Sequence, residues 1–147
     1  GETYFLIGDA FGKGMLELLS RAAYQTNTIE GWQVLVNEQL RRHDLPATEQ
    51  AIELLRGQLQ EIVRVVPAPA LARLREVTLW FSPEYPGVPP RAEYHPGAGW
   101  LRDNGRAPAM VRGVEFTDVR NFAAETKRMP NFTLHELVAM IPPPSYR

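Results

Sequence analysis

Five apolar positions limit what this chain can become. Ile52, Leu55, Leu59, Ile62 or Val63, and Val66 return at intervals of three and four, and Glu53, Arg56, Gln60 and Arg64 fill the places between them. That stripe is one face of a long helix and must be buried against another element. Leu45-Pro46-Ala47-Thr48-Glu49 starts it, with proline in the first turn where no backbone donor is needed. Pro67 ends or kinks it.

Around this helix the pattern changes character. Val77-Thr78-Leu79-Trp80-Phe81 is β-branched and aromatic, closes at Ser82-Pro83, and is the clearest strand. Trp32 to Val36 reads as a second strand, its alternation blurred by Leu35. Shorter extended runs are expected at Tyr4–Ile7, Ala92–His95 and Val114–Thr117. Helices are expected from Met15 to Ala23 and from Ala70 to Glu76. A single turn from Trp100 closes at Gly105, and Asp118 could cap a helix running through Phe122 to Lys127. Asn131 caps a last one, from Phe132 to about Met140, which Pro142-Pro143-Pro144 stops. Helices come first and then mix with strands, without βαβ alternation. The expected class is therefore α+β: a single domain over residues 1–147, with several helices on a small, mostly antiparallel sheet. Residues 1–26 are set apart as a flexible or appended stretch.

Composition narrows function mainly by exclusion. A formal charge of −1 over 147 residues gives no electrostatic reason for nucleic acid or an anionic membrane surface, and Arg41-Arg42-His43 is the one compact basic run. With no cysteine there is no disulfide, thiolate metal site or cysteine nucleophile. No apolar run reaches the ~20 residues that span a bilayer. Gly8-Asp9-Ala10-Phe11-Gly12-Lys13-Gly14 resembles a phosphate loop in setting. It has three residues where four are needed, and Gly14 replaces the hydroxyl that would hold Mg²⁺. Ser20, Ser82 and Ser145 lie in no nucleophile-elbow pattern.

The carboxylates Glu84, Glu93, Glu115, Asp118, Glu125 and Glu136 fall in the aromatic-rich half of the chain, where two facing across a cleft could do acid/base work. His95, between Tyr94 and Pro96, is either a loop histidine held by hydrogen bonds or a metal ligand or general base. Phe132-Thr133-Leu134-His135-Glu136-Leu137-Val138-Ala139 reads as the first half of H-E-x-x-H. In that motif two histidines one turn apart hold zinc and the glutamate activates its water. Here Ala139 stands at the second histidine position.

Several runs carry a wider resemblance: Ile29-Glu30-Gly31-Trp32, Ile52-Glu53-Leu54-Leu55, Ile62-Val63-Arg64-Val65-Val66-Pro67, Tyr94-His95-Pro96 with Trp100-Leu101, Gly113-Val114-Glu115 and Leu134-His135-Glu136-Leu137. Together they resemble the N-terminal part of zincin-like metallopeptidase-type proteins, a mostly exported bacterial group. The resemblance implies a hydrolase, a periplasmic or extracellular location, and zinc held by His135, with Glu136 as general base. With Ala139 the ligand set is incomplete, so the chain is expected to be cut off or altered within its active-site helix. Two classes then stand open. One is a hydrolase acting on a peptide or other small hydrolysable molecule, with His135 and His95 as metal ligands or with Glu136 or Glu115 as the acid/base of a site without zinc. The other is a catalytically silent binding module. In either case a homo-oligomer is expected, because uncovered apolar surface favours self-association.

Overall fold

The computed structural model describes residues 23–138. The expected strand at Tyr4–Ile7, the glycine loop, all but the last residue of the helix expected from Met15 to Ala23, and Ala139 lie outside that range.

An α+β architecture forms, as expected. Strands β1 (Tyr24–Ile29) and β2 (Trp32–Asn37) make a hairpin. Its two turn residues, Glu30 and Gly31, have φ of 51° and 92°, the paired left-handed geometry that matches strand twist. A Cβ at Gly31 would lie 2.6 Å from Arg75 Nε, which donates to the Glu30 carbonyl at 2.9 Å. Helix α1 (Glu38–His43) follows, capped by Asn37, whose Oδ1 accepts the Gln39 N–H at 2.8 Å. Helix α2 (Leu45–Val65) is the long helix of the apolar stripe, and α3 (Ala68–Leu74) starts two residues earlier than the spacing suggested. Then come β3 (Leu79–Phe81), β4 (Ala92–Tyr94), α4 (Ala98–Asp103), a 3-10 turn at Pro108–Met110 and β5 (Val114–Phe116). A second 3-10 turn (Val119–Asn121), α5 (Phe122–Arg128) and α6 (Phe132–Val138) complete the described elements.

The sheet order is β1-β2-β3-β5-β4. Antiparallel pairing covers six residue pairs of β1–β2 and three of β4–β5, against three in each of the two central parallel ladders. Parallel strands at the centre must be covered on both faces, and that explains Leu35. It points away from Val34 and Val36 and is buried all the same, 2% exposed in a smaller second core with Trp80, Leu101 and Met110.

The larger core lies on the other face. Val34, Leu79, Val114, Phe81 and Phe116 meet Leu55, Leu59 and Ile62 of α2, Phe122 of α5, and Phe132 and Leu137 of α6. Phe122 and Phe132 pack with tilted rings at 4.8 Å between centroids, and Phe116 meets Phe132 at 6.0 Å, close to edge-on. Gln58, buried in α2, fixes where α6 begins. Its Oε1 accepts the Thr133 N–H at 3.1 Å, its carbonyl accepts Asn131 Nδ2 at 3.0 Å, and its Nε2 donates to Thr126 Oγ1 at 3.2 Å. Asn131 is the expected cap, accepting the Leu134 N–H at 3.1 Å. These bonds tie the start of α6 to α2, and α6 also packs against the edge strand β4. Among the described residues no helix is long and apolar enough to cross a membrane.

Candidate functional site

Strand side chains alternate, so the row facing away from the larger core runs Leu35, Trp80, Glu115, Glu93 across four strands. Two carboxylates directly opposite on neighbouring strands would repel. The layer that covers them, residues 95 to 113, supplies the remedy in Arg106. Its Nη1 donates to Glu115 Oε1 at 3.2 Å and also pairs with Glu93, while Arg91 reaches Glu93 at 3.3 Å. His95 Nε2 meets the same Glu115 oxygen at 2.8 Å, and the Tyr85 hydroxyl donates to the other at 2.5 Å. The guanidinium of Arg106 lies 4.4 Å from the Tyr85 ring centre and 4.9 Å from that of Trp100, on which His95 is stacked. Gly113 lets this layer approach the sheet, since a Cβ there would come within 2.8 Å of Trp80 Nε1.

Glu115 is fully buried, and burial alone would lift its pKa. Hydrogen bonds from His95, Tyr85 and Ser82, with the charge of His95, outweigh that and hold it below the usual carboxylate value. The Tyr85 hydroxyl is pushed above its ordinary value, first by burial and then by the Glu115 charge. For Arg106 burial works against the charge, but the bond to Glu93 and the charges of Glu115 and Glu93 keep it above normal. Every charged member of this cluster has a partner.

One ligand atom from each of Glu93, His95 and Glu115 lies within 4.8 Å of the other two, the spacing that could hold a metal ion. Arg106, however, hydrogen-bonds the carboxylates of that trio, and His95 spends its Nε2 on Glu115. An ion and a guanidinium cannot share those lone pairs, so as arranged the trio does not fit zinc.

His135 and Glu136 lie elsewhere. Strand β4 separates them from His95 and Glu115, because Ala92 and Tyr94 pack into the larger core beneath α6 while Glu93 points to the other face. They line a cleft of about 420 Å³ with Asp118, Glu125, Arg91 and Phe132. His135 is exposed and Glu136 half-buried. Burial raises the Glu136 pKa, Glu93 adds to it, and the His135 charge and the Tyr94 backbone amide offset it in part. Asp118 is the most buried group of the wall, 2% exposed, and its Oδ1 has no partner among the described residues. Burial outweighs a hydrogen bond from its own backbone amide and, with the charges of Glu125 and Glu136, pushes its pKa up to about 6. Glu93, His95 and Glu115 are the only trio of potential ligands that converges among the described residues, so α6 offers zinc one histidine and no set around it.

Comparison of the chain with protein-family models, with curated proteins and with solved structures finds no match. The site must be read from its own geometry.

The four residues singled out from sequence therefore form two separate pairs, His95 with Glu115 and His135 with Glu136. Of the six carboxylates marked in the sequence, Glu93 and Glu115 face one another, and Asp118, Glu125 and Glu136 share the cleft. Arg106 and Tyr85 carried no motif, since partners for a carboxylate arriving from loops leave no spacing to read. The sequence places Asp118 as the cap of the helix through Phe122, but its side chain makes no capping bond and Asn121 stands at the N-cap of α5. The one described serine, Ser82, is 1% exposed and bonded to Tyr24 at 2.7 Å, so it is not a free nucleophile.

Proposed function

We propose that this chain is a hydrolase-type protein whose working group is Glu136, acting as general base in the cleft between α6 and the β4 edge. One observation carries the reading. Glu136 is half-buried at an open cleft and its carboxyl is shifted upward, toward the neutral range where a base works best. Glu115, the other candidate, is shut away behind Arg106 and Tyr85 and held ionised. Glu136 would take a proton from a water as the water oxygen attacks the carbonyl of a peptide or ester. It would return that proton to the departing amine or alcohol as the C–N or C–O bond breaks. The cleft is large enough for a side chain beside that bond. His135, on the same cleft, favours the ionised form of Glu136 when protonated. No step is assigned to zinc.

A fluorogenic peptide and p-nitrophenyl ester panel, run on wild type, Glu136→Gln and Glu115→Gln, with and without chelator, tests this. Turnover should fall at least about 100-fold in Glu136→Gln and survive chelator. Turnover unchanged in Glu136→Gln would remove the proposal. A second reading is a binding module without turnover. The single histidine on α6, with no other ligands converging on it among the described residues, favours it.

A further inference from the structure

The cleft that holds Glu136 has a mixed lining, in which Met129, Phe132, Ala92 and Pro90 stand beside the carboxylate of Asp118 and the charged groups around it. Of the other charges on the cleft, Glu125 is paired with Arg128 at 2.7 Å, and Arg91 is drawn to Glu93 at 3.3 Å. His135 stands exposed at the rim. Among the described residues Asp118 and Glu136 are therefore the carboxylates of the cleft with no arginine or lysine partner, and Oδ1 of Asp118 is buried with no hydrogen bond.

A buried acceptor with no donor costs stability unless something else satisfies it. Apolar side chains beside a carboxylate suit a side chain with an aliphatic stem and a charged tip. The Asp118, Glu125 and Glu136 oxygens do not converge as those of the Glu93–His95–Glu115 trio do, and about 420 Å³ is far more room than a bare ion needs. We infer that the cleft is a recognition pocket for an aliphatic cation, the guanidinium or ammonium end of an arginine- or lysine-like group, held by Asp118. It deepens the proposed reading of the same cleft, since it names the substrate class: peptides or esters carrying a basic side chain next to the bond presented to Glu136.

The test measures binding rather than turnover, so it stands or falls apart from the hydrolase reading. N-acetyl-arginine amide and its neutral isostere N-acetyl-citrulline amide are titrated into the full chain and followed by amide NMR shifts at Asp118, Met129 and Phe132. Arginine amide should bind at least about tenfold tighter than citrulline amide, and Asp118→Asn should abolish that preference while circular dichroism stays unchanged. Should Asp118→Asn fail to fold, wild type alone decides: the Asp118 carboxyl carbon should titrate at lower pH with arginine amide present, and not with citrulline amide. Equal affinities for the two amides, a preference that survives Asp118→Asn, or an Asp118 titration that neither amide moves would overturn the assignment. So would Mg²⁺ or Ca²⁺ at millimolar concentration displacing arginine amide while shifting the same amides.

Discussion

Glu115 and Asp118 are three residues apart and almost equally buried, yet their surroundings treat their charge in opposite ways. Glu115 accepts bonds from His95, Arg106 and Tyr85, and its pKa is held down in spite of burial. Asp118 has an oxygen with no partner among the described residues, and its pKa is pushed up to about 6. A carboxylate that the fold has fully satisfied is part of its architecture. One left unsatisfied beside a cleft lowers stability and is open to a ligand. Sequence patterns that flag carboxylates cannot separate these cases, because the difference lies in what arrives from loops.

The largest effect should come from breaking the satisfied cluster. Arg106→Met leaves Glu93 and Glu115 facing each other without their shared cation, and should cost about 3–5 kcal/mol in urea unfolding. Adding Glu115→Gln to it should recover part of that loss. If Arg106→Met costs under about 1 kcal/mol, the cluster is not architectural.

Much of the fold was legible because its elements carry long apolar patterns. Helix α2 appeared with its stripe, and β2, β3, β5, α5 and α6 lay close to where periodicity put them. The hairpin strand β1 did not, since Gln25, Thr26, Asn27 and Thr28 give it a polar edge-strand composition, and its first residues fall within the stretch 1–26 set apart from the domain. Helix α1 is six residues long, too short for a period to show. Leu35 blurred β2 because the sheet is covered on both faces, which one strand's pattern cannot announce. At the site, the sequence marked His95, Glu115, His135 and Glu136 but not their division into two clusters. Which side of β4 each occupies depends on register across three strands.

On the open side of the comparison, Glu136→Gln should lower hydrolysis at least about 100-fold while moving unfolding by less than about 1 kcal/mol. Activity and stability falling together would instead place Glu136 with the architecture.

Acid should weaken the satisfied cluster first. Because the folded pKa of Glu115 lies below its ordinary 4.5, its contribution is present above that value and is lost as pH falls through the folded pKa. The loss should be smaller in Glu115→Gln than in wild type when both are titrated by circular dichroism.

Asp118 should behave in the reverse sense, and it provides the most direct test. Its raised pKa means that folding favours the protonated form. Its favourable contribution is therefore complete below the ordinary value of 3.8 and is lost as pH rises through about 6. Unfolding free energies of wild type and Asp118→Asn, measured from pH 4 to pH 8, isolate that effect. Asp118→Asn should be the more stable at pH 8, by on the order of 1–3 kcal/mol, and the gain should vanish toward pH 4. A variant less stable than wild type at pH 8 would mean that Asp118 is as well partnered as Glu115, and the distinction between the two clusters would fail.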